Sequence, residues 1–311
     1  MATSLPSRHG VNASCVSLPV GPWPTMAAFL VQRFPAIPAQ TWAQRLAAGD
    51  VVDAQGRVVT PEQPYQPHGK LYYYRSLPQP EARIPFDAVV LHRDAHLVVV
   101  DKPHFLPVTP SGGYLQETLL VRLRLQLGLP DLAPLHRIDR ETAGLVLFAA
   151  QPASRGAYHQ LFAQRKVHKI YQAVVHWQAD RVLPAVHASC LLDGAHFMQM
   201  QEVVGPANSQ TYLKLLAVHG NLATLELTPV TGRRHQLRVH CAALGMPIVN
   251  DQIYPQLQTQ RHADYSQPLQ LLAQRISFTD PFSGQLREFA SCQNLALAAC
   301  QANATKNGRV N

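Results

Sequence analysis

Two stretches of the 311-residue chain concentrate side chains able to do chemistry. In Leu135-His136-Arg137-Ile138-Asp139-Arg140-Glu141-Thr142-Ala143-Gly144 a carboxylate stands between two arginines, just ahead of an apolar run. If the chain is extended there, Arg137 and Asp139 point to the same side. A guanidinium beside a carboxylate favours its charged form, and at about 4 Å the attraction is roughly 4 kcal/mol at an effective dielectric of about 20. Asp139 is therefore expected to be an anion that can serve as nucleophile or base. The plainer reading of the same cluster is a structural ion pair at a turn.

The second stretch, Thr228-Pro229-Val230-Thr231-Gly232-Arg233-Arg234-His235-Gln236-Leu237-Arg238-Val239-His240, holds three arginines and no acid. Thr231 can cap a helix whose Leu237, Cys241 and Leu244 form the buried stripe. Arg234 and Arg238, at i and i+4, then share another face, where like charges repel. An anion would relieve that repulsion, and the start of a helix already favours one. The alternative is a solvated basic face. In Lys166-Val167-His168-Lys169-Ile170-Tyr171-Gln172-Ala173-Val174-Val175 the alternation sets Lys169, Tyr171, Ala173 and Val175 on one side; on spacing alone Tyr171 is a core or interface aromatic. A strand ending in Asp101-Lys102-Pro103 runs into a proline-punctuated loop, either one wall of a cleft or a stiff connector.

These segments need a frame. From about residue 86, short strands are expected at 88–91, 96–101, 144–149, 169–176, 186–192, 198–203, 211–218, 222–228 and 269–279. Helices are expected at 115–127, at 154–165 with Ser154 as cap, at 235–244 and at 292–301. Runs of strands with few helices and no regular βαβ alternation indicate an α+β domain with a mainly antiparallel sheet. Upstream, the proline-rich first 85 residues carry two short helices, 27–33 and 41–48, and a strand entering a turn at 49–56. The expected division is an N-terminal extension with its linker over 1–85, a catalytic domain over 86–302 and a polar tail over 303–311.

Composition narrows the function. There are 27 basic and 19 acidic residues, a net charge of +8, and arginines far outnumber the six lysines. The arginine fork suits phosphate contact and base stacking, so a polyanion partner is favoured. No apolar run approaches a membrane span, and no secretory leader is evident. Five cysteines without a CxxC pair fit a reducing, cytosolic setting with no structural zinc. A Walker A loop, GxGxxG and HExxH are all missing, so neither a nucleotide cofactor nor a metal is expected. His136-Arg137-Ile138-Asp139 is not a kinase catalytic loop, because no Gly-rich loop precedes it.

Taken in order, these segments resemble the RluA-type family of RNA pseudouridine synthases. The resemblance runs from Asp101-Lys102-Pro103 through residues 136–144, Lys169-Ile170-Tyr171-Gln172-Ala173 and residues 231–240 to Leu244-Gly245-Met246-Pro247-Ile248-Val249-Asn250-Asp251 and Phe278-Thr279-Asp280-Pro281-Phe282-Ser283-Gly284. It implies the pseudouridine synthase fold, with an antiparallel sheet split by a basic cleft, and cofactor-independent isomerisation of uridines in ribosomal large-subunit or transfer RNA. The N-terminal region resembles an S4 RNA-binding module in degenerate form, with Arg45 the single basic residue of its second helix. Residue by residue, the resemblance implies Asp139 as the catalytic aspartate, Tyr171 as the active-site tyrosine and Arg233 as the basic partner of the aspartate. Arg137, Arg140, Lys102, Lys169, Arg234, His235, Gln236 and Arg238 are the expected RNA contacts. Ala143 and Arg234 depart from the family's usual Ser and Thr. The expected partner is RNA rather than DNA or a membrane, and the expected state a cytoplasmic monomer. Two other classes use the same residues: a non-catalytic RNA-binding protein on this fold, and a nucleosidase or glycoside hydrolase. The latter needs a second carboxylate, for which Glu141 is the local candidate.

Overall fold

The computed structural model describes residues 7–77, 79–258 and 265–295; the tail at 303–311 lies outside them. The chain forms two compact units, one from 1–83 with 109–130 and the other from 84–108 with 131–311.

The first unit has a three-stranded sheet of β1 (Ser14–Ser17), β2 (Val51–Val52) and β3 (Lys70–Tyr73), ordered β1-β3-β2. Helices α1 (Met26–Arg33) and α2 (Ala39–Ala47) bury Phe29, Leu30, Trp42 and Leu46 against Val51 and Leu71. Thr25 caps α1, its hydroxyl accepting the Ala28 N–H at 3.2 Å. Arg45 is buried and lies over the Trp42 ring, so the lone basic residue of the second helix offers no charged face to RNA. Helix α3 (Leu119–Leu127) belongs to this unit as well. Arg124 secures it by donating to the Gly10 carbonyl and Asn12 Oδ1, both at 3.1 Å. Thr118 caps its start and left-handed Gly128 closes its end. A single cut at residue 85 is therefore corrected: the 109–130 segment returns to the first unit.

The second unit is built on one large sheet of β4 (Val89–Arg93), β5 (Leu97–Lys102), β6 (Ala133–Pro134), β7 (Ala143–Ala149), β8 (His168–His176), β9 (Val186–Asp193), β10 (Met200–Val203), β11 (Ser209–His219), β12 (Leu222–Pro229), β13 (Leu271–Thr279) and β14 (Leu286–Ala290). Its order is β10-β9-β11-β12-β8-β13-β7-β5-β4, with β14 on β13 and β6 on β7. Among the described residues every pairing in it is antiparallel except β7 with β13. The expected α+β class with a mainly antiparallel sheet is what forms. β5, apolar up to Val100, and the apolar β7 are buried along their whole length, as central strands covered on both faces require. Gly144 makes the parallel contact possible: at φ +106° a Cβ there would sit 2.3 Å from the Ala273 carbonyl oxygen. Helices α4 (Pro152–Ala163) and α5 (Gln236–Ala243) complete the unit. No helix among the described residues is long and apolar enough to cross a membrane.

Three local expectations are corrected. Pro152 starts α4 ahead of Ser154, whose buried hydroxyl instead meets His96 Nδ1 at 2.9 Å. Thr231 does not cap α5; it accepts the Gln210 N–H at 3.0 Å and donates to Gln236 Oε1 at 2.7 Å, while left-handed His235 takes the cap position. Residues 292–295 are not helical, because Asp101 captures the Cys292 N–H at 2.7 Å and the Gln293 amide at 2.6 Å. The remainder of the expected 292–301 helix lies outside the described residues.

Candidate active site

Asp139 stands in the loop that enters β7. A short turn, closed by Thr142 N–H donating to the Asp139 carbonyl at 3.2 Å, follows it. Upstream, His136 accepts the Leu147 N–H at Nε2 (3.1 Å) and stacks on Phe162. Burial, then the Lys169 charge, pushes that imidazole down to about 3, so it is neutral, as an acceptor must be. Lys102, fully buried, donates Nζ to the carbonyls of Arg140 (3.0 Å) and Pro103 (2.8 Å). Burial lowers this amine to about 7. The loop is thus fixed from both sides of Asp139.

The partner of Asp139 comes from α5, and it is Arg238. One guanidinium nitrogen lies 3.3 Å from Asp139 Oδ2, while Nε and the other nitrogen form a fork on Asp251 at 2.8 and 2.7 Å. Asp251 is fixed in turn by the N–H groups of Ile253 (2.8 Å) and Tyr254 (3.1 Å). Both members of the fork are 1% exposed, whereas Asp139 is 25% exposed. Burial alone would weaken the Arg238 charge, but Asp251 first, then Asp139 and Glu141, hold it protonated. His235 Nε2 approaches the other carboxylate oxygen of Asp139 at 3.7 Å, and its Nδ1 meets the Tyr254 hydroxyl at 3.0 Å. Burial lowers the basicity of His235 against the pull of Asp139, so its neutral form is favoured.

Tyr171 lies on β8 between β12 and β13 and packs against the core. Burial, then the charge of Asp139, raises its phenol well above the usual range, which keeps it protonated beside the carboxylate. Glu141 is held below the ordinary carboxylate range by Arg140, then Arg238, overcoming burial, and Arg140 Nε lies 2.7 Å from it. An ionised, paired Glu141 makes a poor general acid, which counts against the two-carboxylate hydrolase reading.

The expected pairing of Arg233 with Asp139 is corrected. Arg233 is exposed on the turn before α5 and donates Nε to the Asn208 carbonyl at 3.3 Å. The helix begins only at Gln236, so Arg238, in its first turn, is the arginine that reaches inward. The expected RNA contacts divide accordingly. Arg137 is exposed, Arg140 and Lys169 are partly so, and His235 lines the site. Lys102, Gln236 and Arg238 are buried and act within the protein. Gln236 knits the turn together, accepting the Arg233 N–H at 3.1 Å and donating to Thr211 Oγ1 at 2.9 Å. Arg234 donates to the carbonyls of Phe197 (2.7 Å) and Gln199 (3.1 Å).

Sequence reasoning assigned no role to Asp251 or Tyr254. Their one signal is a lone acid at the end of Met246-Pro247-Ile248-Val249-Asn250-Asp251, in a chain rich in arginine. One trio of metal-capable side chains occurs among the described residues: His187, Glu202 and His240, whose ligand atoms lie within 4.8 Å of one another. His240 is lowered to about 4, by burial first, and both its nitrogens face hydroxyls of Ser189, Ser209 and Thr211.

The chain is similar in sequence and fold to known RNA pseudouridine synthases. A family model described as RNA pseudouridylate synthase matches residues 96–243. An RNA pseudouridine synthase of Synechocystis is 32% identical over 234 residues, spanning 74% of this chain and 79% of that protein. The dual-specificity RNA pseudouridine synthase RluA of Vibrio vulnificus is 34% identical over 210 residues, spanning 65% of this chain and 82% of its own. The solved structure of human RNA pseudouridylate synthase domain containing 1 shares the fold, with a TM-score of 0.53 at 22% identity over 67% of this chain and 84% of that one. With sequence, fold and relatives in agreement, the chain belongs to the RluA-type family of RNA pseudouridine synthases and is an isomerase of that class.

Proposed function

We propose that the protein isomerises specific uridines in structured RNA, ribosomal large-subunit or transfer RNA, with Asp139 as the reacting carboxylate. The observation that carries this is the Asp139–Arg238–Asp251 arrangement: one partly open carboxylate aimed by a guanidinium that a second, buried carboxylate holds still. The reaction breaks the C1′–N1 glycosidic bond, turns the freed uracil and joins C5 to C1′. Asp139 attacks the sugar or removes a ribose proton, and Arg238 keeps it charged and oriented. Tyr171 supports the base and relays the proton leaving C5. Reaching Asp139 requires the target base to leave its stack, at a cost of a few kcal/mol. The exposed arginines, Arg137 and Arg233 among them, offset that cost through phosphate contacts. We place this activity in the cytoplasm, in a monomer.

The test is tritium release from transfer RNA and large-subunit ribosomal RNA transcripts carrying 5-tritiated uridine. Release by the wild type but not by Asp139→Asn supports the assignment. Tight binding without release points to a non-catalytic RNA-binding protein, and free uracil among the products to a hydrolase.

A further inference from the structure

The hairpin joining β9 to β10 is tied to the catalytic turn in a way that isomerisation chemistry alone does not require. Arg234, next to His235, holds the carbonyls of Phe197 and Gln199 at 2.7 and 3.1 Å. The Gln199 amide donates to the Ile253 carbonyl at 3.1 Å, and the Met200 N–H donates to the Tyr254 hydroxyl at 2.7 Å. That hydroxyl also meets His235, whose other ring nitrogen faces Asp139 at 3.7 Å. A polar chain therefore runs from the reacting carboxylate to the loop through two side chains.

The loop presents an unusual tip. Phe197 is 78% exposed and lies against the His196 ring, with centroids 4.7 Å apart. A single exposed aromatic is unremarkable on a protein surface. Here it sits on backbone whose carbonyl is anchored beside the site, so its position relative to Asp139 is set rather than free. An open aromatic face on a loop bonded to the turn that carries His235 suits a nucleobase near the target, because every base has a face to stack and aromatic platforms take unstacked RNA in this way.

Resting on the RNA reading above, we infer that Phe197, with His196 beside it, is a stacking platform for a nucleotide flanking the target uridine. Arg234 is the positioning residue that sets the platform's place. Arg234, expected among the RNA contacts, uses one terminal nitrogen for both carbonyls, while its other terminal nitrogen stands 3.7 Å from Asp193.

Steady-state tritium release from the accepted transcript tests this in Phe197→Ala, Phe197→Leu, Phe197→Tyr, Arg234→Ala and Arg234→Lys. The expected result is a KM raised about tenfold in Phe197→Ala and Phe197→Leu, with kcat reduced less than threefold, and recovery in Phe197→Tyr. Arg234→Ala is expected to raise KM to the same extent, with partial recovery in Arg234→Lys, and to add little when combined with Phe197→Ala. Wild-type KM in Phe197→Ala, or in Phe197→Leu, overturns the platform. Additive effects of the two alanine changes overturn the latch. Should the wild type release no tritium, the isomerase reading fails separately. The platform is then decided by the fluorescence of 2-aminopurine in a uridine-containing RNA stem-loop: quenching lost in Phe197→Ala supports it, and equal quenching in both proteins overturns it.

Discussion

Arg238 meets Asp139 at 3.3 Å with the one terminal nitrogen that its fork on Asp251 leaves available. The arginine is immobilised by one carboxylate in order to present itself to another. Asp139→Asn keeps the shape but removes the anion. Turnover is expected to be lost, while RNA affinity stays within about 1–2 kcal/mol of wild type, as for a group that acts in the transition state. Filter binding beside tritium release checks this, and residual full activity would remove Asp139 from the mechanism.

Breaking the fork behaves differently. Asp251→Asn leaves a buried guanidinium short of its counter-charge, a change that costs about 3–5 kcal/mol of stability. It also frees Arg238 to turn, so kcat is expected to fall by about ten- to a hundredfold in the fraction that remains folded. Urea unfolding and active-site-normalised kcat measure the two losses. A stable variant with wild-type kcat would show that Asp251 does not aim the pair.

Arg233 and Arg238 exchange the roles that the family resemblance implied for them. Arg233→Ala is expected to raise KM and to lower the slope of log affinity against log salt by about one, with kcat changed less than threefold. Arg238→Lys, which has no fork, is expected to lose most of kcat. A collapse of kcat in Arg233→Ala would reverse this assignment.

His136 sits near 3 in the folded chain against an ordinary 6.5. Between those values the unfolded chain binds a proton that the folded chain refuses. Stability therefore rises with pH across this window and falls as acid is added. In His136→Gln, whose side-chain carbonyl can still accept the Leu147 N–H, proton uptake on unfolding at pH 5 is expected to drop by about one. The pH dependence of urea unfolding reads the difference directly, and identical slopes would mean that His136 is protonated in the fold.

Asp139 was legible because everything that marks it is contiguous: the flanking arginines, the turn and the glycine that lets β7 pass Ala273. The identity of its partner was not. Three arginines lie within six residues, and which one turns inward depends on α5 starting at Gln236 after a left-handed His235, a backbone conformation that spacing does not encode. Asp251 is brought to Arg238 by the chain's return thirteen residues later, a tertiary event. Likewise, the leucine period announces α3 as a helix, but tertiary bonds tie its segment to the first unit: Arg124 to Gly10 and Asn12, and the Leu115, Gln116 and Glu117 N–H groups to Glu81. The strands β1, β3 and β14 are short, and pairing rather than pattern defines them.

That assignment of α3 bears on how the protein can be cut. The chain passes between its two units at 83/84, 108/109 and 130/131, so the N-terminal unit is not a bead on a string. A fragment starting at residue 86 would keep α3 but discard Gly10 and Asn12, to which Arg124 donates. Shortening by deletion thus has to remove 109–130 together with the N-terminus and rejoin the ends.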